Sequence, residues 1–376
     1  MARRTRPHVP KRRHTVLALQ GGGALGAYQA GVYEELHLRG LAPDWVTGVS
    51  IGAINAALIV GNRPEDRVDR LRRFWDLVSS GITFVPPHEF EPLRLAFSQL
   101  STAAIAAFGV PGFFVPRIPP PMLMPRGEPA ALSVYDTSPL AKTLVELVDF
   151  DLINSGAARL SVGAVDVETG NSVYFDNLNG NIEFTPEHIM ASGALPPGFP
   201  PIRIGNAWYW DGGLTSNIPL WHVLDDQSDL NALVFQIDLF SARGQMPQML
   251  DEVLERSKDI QYSSRTRFGT SRGKDDDLQH EALCRLLAKL PPRLAANADA
   301  KLLARHAERR KISIVHLINR RTTFSTVAKD YDFSRATVSA LWDAGREDLS
   351  RTLAHPHWKR ARVARNGLRT YDLLPR

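Results

Sequence analysis

Apolar residues fill positions 16–19 without a break, three glycines follow, and small apolar residues then recur at helical spacing. A short apolar run bounded by turn residues reads as a buried strand, and a 3.6-residue period reads as a helix. The pattern therefore predicts a strand over 15–20, a glycine turn and a helix over 26–40. "DWVTGVS" (44–50) repeats the strand signal. "SIGAINAALIVG" (50–61) reads as a helix of small residues stopped by Gly61. Residues 65–79 are amphipathic. This succession of strand, turn and helix is the opening of a parallel α/β sheet.

The pattern then changes. Residues 95–116 carry no charge, Arg94 and Arg117 bracket them, and "RIPPPMLMP" follows. Two prolines and several hydroxyl side chains make this a poor membrane span. It reads as an apolar, proline-edged insertion over 87–130, either a helix packed on the core or a cap facing substrate or membrane. Alternation returns in "RLSVGAVDVETGNSVYFDN" (159–177), a hairpin-like pair turning at Thr169-Gly170. A short helix ending in a Gly/Pro cluster is expected over 185–202, with strands over 207–213 and 232–240. Beyond about 245 the chain becomes polar and helical, with one clear strand at 312–318.

Charge adds an asymmetry to this picture. The net charge is +5. Residues 1–14 hold six Arg/Lys and no acid, and residues 301–376 hold 17 against seven Asp/Glu, while the body between is acidic. Basic ends can meet an anionic partner such as a membrane surface, or can be plain solvated tails. Cys284 is the single cysteine, which precludes an intrachain disulfide and fits a reducing compartment. No signal-like segment precedes the first strand, so the expected location is cytoplasmic, with peripheral membrane contact as an addition. No cofactor or metal is called for, since no ligand cluster is visible.

Two glycine motifs carry the chemistry. Residues 21–26 match G-x-G-x-x-G, which can cradle a pyrophosphate. That reading needs an acid at the end of the second strand. Asp44 stands before that strand, and its end is Gly48-Val49-Ser50-Ile51-Gly52. G-x-S-x-G puts a serine on a sharp strand-to-helix turn, where its hydroxyl projects and a helix N-terminus points at the same spot. Gly48 and Gly52 make room for that elbow. A glycine loop on the neighbouring parallel strand would lie at the same sheet end, so the N–H groups of Gly22 and Gly23 could receive an oxyanion.

The base is less obvious. His188 falls inside a short helix, and His222 follows Asp211 by only 11 residues. Neither occupies a turn suited to a Ser-His-Asp triad. Asp211 ends the aromatic strand "AWYW" and opens "DGG". An acid among aromatics is costly unless used or paired, and desolvation would strengthen it as a base.

Together these blocks resemble the patatin-like acyl hydrolases over roughly residues 15–245. Four match in order: "GGGALGAYQAG", "GVSIGAINAA", "ASGALPPGFPPI" and "DGGLTSNIPL". The resemblance implies a three-layer α/β/α fold with a mostly parallel central sheet. It implies a Ser50–Asp211 dyad without histidine, an oxyanion hole at Gly21, Gly22 and Gly23, and a phospholipid or related lipid ester as substrate. Leu25 stands where many members of that family carry Arg or Lys. The domain plan is then a basic tail (1–14), a hydrolase domain (15–245) and a basic, mainly helical extension (246–376), resembling one bacterial branch of the family.

Other readings remain beside it. "TVAKDYDFSRATVSALW" (326–342) resembles a helix-turn-helix with Ser334 capping its second helix, but Asp332 fills the usual glycine position and would face phosphate. The alternatives are a DNA- or membrane-binding regulator using the basic C-terminal region, or a dinucleotide-dependent oxidoreductase.

Overall fold

The computed structural model describes residues 14–84, 91–179, 182–225, 231–306, 311–320, 329–360 and 367–374. Nearly all of the basic N-terminal tail, the start of the 87–130 insertion and the first three residues of the 326–342 motif lie outside them.

Eleven strands are described: β1 (His14–Leu19), β2 (Trp45–Val49), β3 (Val115–Pro116), β4 (Tyr135–Asp136), β5 (Arg159–Asp166), β6 (Ser172–Asp176), β7 (Ile202–Ile204), β8 (Ala207–Asp211), β9 (Asn231–Asp238), β10 (Lys311–Ile318) and β11 (Gly367–Tyr371). Nine form one sheet in the order β11-β10-β9-β1-β2-β5-β8-β7, with β6 paired to β5. The path from β11 to β5 is parallel throughout, and β6, β7 and β8 join antiparallel. β3 and β4 make a separate two-stranded pair.

Central β1 shows why the layers number three. Leu17 and Leu19 enter the large core beneath α1 (Ala27–Leu38), α2 (Ile51–Val60) and α3 (Arg67–Val78). Val16 and Ala18 enter a smaller core with Trp45, Ile218 and the residues of α8 (below). Successive strand side chains point to opposite faces, so a strand that is apolar at every position needs cover on both sides. The continuous apolar run at 16–19 is that requirement written in sequence.

The remaining helices follow in order. α4 (Glu91–Phe108) carries the apolar insertion, α5 (Ser138–Leu147) and α6 (Phe150–Asn154) lead into β5, and α7 (Pro186–Ser192) precedes β7. α8 (Leu220–Asp225) follows β8, and α9 (Leu250–Leu287), α10 (Pro292–Ala295) and α11 (Ala298–His306) follow β9. α12 (Arg335–Ala354) and α13 (Pro356–Arg360) separate β10 from β11. Residues 246–376, read from sequence as a mainly helical extension, thus also contribute two strands to the main sheet. The pattern had signalled only β10.

α12 corrects the DNA-binding reading. Ser334 does cap it, accepting the Thr337 N–H. The helix is laid against α1, however, and buries Ala336, Val338, Leu341, Trp342, Ala344 and Leu349. The contact is backbone-close. A Cβ on Gly31 would meet the Trp342 carbonyl at 1.9 Å, and one on Gly345 would meet the Tyr28 carbonyl at 2.1 Å. Tyr28 Oη donates to Asp348 at 2.8 Å, and Trp342 Nε1 donates to Glu34 at 2.6 Å. Asp332 does not face outward. It is buried and accepts from Ser98 Oγ and Thr337 Oγ1. A helix committed to the core in this way cannot enter a major groove.

Candidate active site

β2 ends at Val49, and α2 begins at Ile51, so the chain must reverse direction at the single residue between them. That residue, Ser50, adopts φ 56° and ψ −126°. It is the one non-glycine with positive φ among the described residues. Such backbone costs on the order of 1–3 kcal/mol and persists only where the surroundings impose it. Here they do. A Cβ on Gly48 would sit 2.3 Å from the Gly52 carbonyl, and one on Gly52 would sit 2.5 Å from the Leu19 carbonyl. The Ser50 N–H donates to Ser192 Oγ at 2.9 Å, and Ser192 Oγ donates to the Gly163 carbonyl at 2.6 Å. The Ser50 hydroxyl is thereby set at the N-terminus of α2, where the helix dipole favours negative charge.

The register of the sheet brings Asp211 to the same place. β2 pairs with β5 up to Val49↔Gly163, and β8 takes over with Asp211↔Ala164. β6 occupies the opposite edge of β5 over Ser161–Val165. β8 must therefore use the edge that β2 vacates, and Asp211 sits one step beyond the turn at Ser50. Its carboxyl is 1% exposed. Oδ1 accepts the Gly213 N–H at 2.7 Å. Oδ2 is buried without a partner of full hydrogen-bond geometry among the described residues, and the Ser50 hydroxyl is the side chain that acts on the carboxyl. Burial pushes the acid up to about 7, while the Ser50 hydroxyl and the Gly213 N–H pull it back. A carboxylate in this range can take a proton near neutral pH, which an ordinary aspartate does poorly.

The glycine loop closes the third side. Gly21 donates to the Asn217 carbonyl at 3.2 Å and accepts from Asn217 Nδ2 at 3.1 Å. A Cβ on Gly21 would lie 3.0 Å from Ser50 Cβ, so only glycine permits this approach. Ala24 donates to the Asp330 carbonyl at 2.8 Å and Leu25 to the Gly22 carbonyl at 3.1 Å. The N–H groups of Gly22 and Gly23 meet no protein acceptor among the described residues. Gln20 braces the loop from below, accepting the N–H groups of Leu239 and Phe240 and donating to the Tyr262 carbonyl at 3.3 Å.

Ser50, Asp211, Gly21, Gly22 and Gly23 line one cleft that opens to solvent. Its apolar wall includes Phe113 and Phe114 from the insertion, Phe199, and Tyr331 and Phe333 from the C-terminal region. The motifs pointed to the polar half only. Phe199 and the insertion lay in stretches that sequence had marked, whereas Tyr262 and 330–333 sat in a region read for a different purpose.

Neither candidate histidine reaches this cleft. His188 forms a capping box with Thr185 and packs edge-on against Phe175, and burial lowers its pKa. His222 stacks on Tyr174 at 4.1 Å, with Asp176 Oδ2 3.5 Å away. Burial works to raise Asp176, but the neighbouring His222 ring and hydrogen bonds from the Ser161 hydroxyl and the Leu178 and Asn179 amides hold it low. Asp44 accepts the Thr15 N–H at the opposite end of β1, which leaves the glycine loop without the ribose-binding acid of a dinucleotide site.

A strand–serine–helix elbow beside a glycine turn, at the carboxyl ends of parallel strands, is an α/β/α architecture of hydrolase type. The chain belongs to the patatin-like phospholipase family. The model of that family matches residues 17–224, and a second model described as patatin phospholipase matches residues 260–365. Among solved structures, VipD from Legionella pneumophila is similar at 15% identity, covering 90% of this chain and 66% of that one with a TM-score of 0.39. The type III effector ExoU is similar at 13% identity, covering 91% and 53% with a TM-score of 0.33. The chain thus spans from about half to just under two thirds of the length of these relatives. No curated protein matches it.

Proposed function

We propose that the protein hydrolyses carboxylic esters of phospholipids or related lipids through a Ser50–Asp211 dyad. The observation that carries this reading is the strained Ser50 beside a buried carboxyl and near two N–H groups that meet no acceptor among the described residues, in one apolar-walled cleft. Ser50 Oγ attacks the ester carbonyl as its proton passes to Asp211. The tetrahedral oxyanion is received by Gly22 and Gly23, each donor contributing roughly 3 kcal/mol to lowering the barrier. Collapse breaks the ester bond, and the departing alkoxide takes the proton from Asp211. Water then attacks the acyl-enzyme, with Asp211 again accepting the proton, and Ser50 leaves with it restored.

The acyl chain would lie along Phe113, Phe114, Phe199 and Phe333. The insertion that supplies the first two also exposes Phe108 (81%), Ile118 (93%) and Met122 (88%). Exposed apolar clusters of this kind meet other apolar surfaces, and a lipid aggregate is the surface this substrate comes in. No helix among the described residues is long and apolar enough to cross a membrane, so contact would be from one side.

The test is labelling with a fluorophosphonate probe, which phosphonylates activated serines, followed by peptide mapping. Adduct on Ser50, lost in Ser50→Ala, supports the reading. A folded protein that takes no label, or takes it elsewhere, overturns it.

A further inference from the structure

The glycine loop is closed from behind by a carbonyl whose own side chain is an acid. Asp330 O accepts the Ala24 N–H at 2.8 Å. A Cβ on Gly23 would lie 2.1 Å from that oxygen and 3.6 Å from Asp330 Cβ. The Asp330 side chain therefore starts within a few ångströms of the loop, and Asp330 lines the same cleft as Ser50. A bare carboxylate here would oppose any negative charge growing at Gly22 and Gly23, and in a half-buried cleft that repulsion is weakly screened.

Lys258, on α9, meets this acid. Its Nζ lies 2.5 Å and 2.6 Å from the two carboxylate oxygens of Asp330. The pairing is reciprocal along the contact. Lys329, next to Asp330, donates to Glu255 at 2.9 Å and to Asp259 at 2.8 Å, both on α9 near Lys258. Opposite charges at alternating positions fix which residue of the segment faces which turn of the helix. The loop itself supplies no cation, since Leu25 is apolar and buried.

Resting on the hydrolase reading above, we propose that Lys258 is a charge-compensating positioning residue. It neutralises Asp330, so that the Asp330 carbonyl can brace the glycine loop without setting a carboxylate against the transition state. The basic C-terminal region is then part of the hydrolytic machinery, acting through the loop and never touching the ester.

The experiment uses the full chain with p-nitrophenyl butyrate and the fluorophosphonate probe. Lys258→Met and Lys258→Gln lower kcat about 10- to 100-fold, with KM changed by less than about threefold and a cooperative melt retained. Lys258→Arg retains most of the activity. Adding Asp330→Asn to Lys258→Gln recovers at least tenfold of the loss, because the charge that needed compensation is gone. Lys258→Gln is included because it keeps length and an N–H donor if the methionine variant fails to fold. Wild-type kcat in either folded variant overturns the proposal, as does a loss that the double variant does not recover, which would make Lys258 a tether only. Labelling separates the two failures. Wild-type protein unlabelled at Ser50 removes the hydrolase reading and this inference with it, whereas wild type and Lys258→Gln labelled at equal rates removes this inference alone.

Discussion

Asp211 pairs with Ala164 on β5, and Val49 pairs with Gly163, the residue just before it. The acid thus occupies the next register position on the edge that β2 abandons when it turns into Ser50. The two side chains meet because one strand ends where another begins, and β5 serves as the ruler for both.

Ser50→Ala is expected to lower ester hydrolysis by at least about 1,000-fold, the range seen when a nucleophile is removed, with the fold intact by circular dichroism. The backbone strain gives a second readout. Ser50→Gly relieves φ 56°, so it melts higher than Ser50→Ala, by about 1 kcal/mol in denaturant titration.

Asp211→Asn should lower kcat by at least about 100-fold. In the wild type, kcat/KM rises with pH to a plateau above about 7, where Asp211 is ionised. Stability runs the other way. The folded state holds this proton up to about pH 7, while the unfolded chain releases it near the ordinary value of 3.8. On this group's account stability is full below about pH 4 and falls through pH 7, by on the order of 4 kcal/mol. Asp211→Asn removes that decline, which urea unfolding at pH 5 and pH 8 would measure.

His188→Ala and His222→Ala should each keep kcat within about threefold. His188→Ala loses the capping box and melts lower, by about 1 kcal/mol. A hundredfold loss of kcat in either folded variant would restore a histidine-based triad.

Gly345→Ala places a methyl carbon 2.1 Å from the Tyr28 carbonyl. It should destabilise the protein by about 2–3 kcal/mol, as overpacking does, by forcing α12 off α1. A melt unchanged from wild type would mean the helices are not docked.

Ile118→Glu with Met122→Glu should leave turnover of soluble p-nitrophenyl butyrate unaltered and lower turnover of vesicle-bound ester by at least about 100-fold, about 3 kcal/mol or more of interfacial burial being lost with two large apolar side chains. Equal loss on both substrates would place these residues in the cleft instead.

The parallel core was legible because apolar runs such as 16–19 admit few structures. Ser50 and the glycine loop were legible because their backbone geometry demands glycine at fixed offsets. Asp211 was marked by the aromatics before it and by the block "DGGLTSNIPL", on which the family resemblance rests. Its one-step offset from Ser50 was not, since register is a property of three strands together. The apolar wall was only partly visible: Phe113 and Phe199 lay in marked stretches, but Tyr331 and Phe333 sat in a motif whose local pattern matched a DNA reader. Ser334 capping a helix is common to both structures, and only the long-range partner, α1 with Gly31, distinguishes them. β11 was missed because "GLRTY" is short and polar, as an edge strand can be.

The Asp330 carbonyl that seals the glycine loop is made about three hundred residues after the loop itself. A ribosome adding roughly 5–20 residues per second needs about 15–60 s to cover that distance. During that interval β1 and Ser50 are already outside the ribosome, but the brace behind Gly23 does not yet exist. The finished geometry of the cleft therefore cannot form before residue 330 has been made, and until then a nascent chain carries its serine without the completed site.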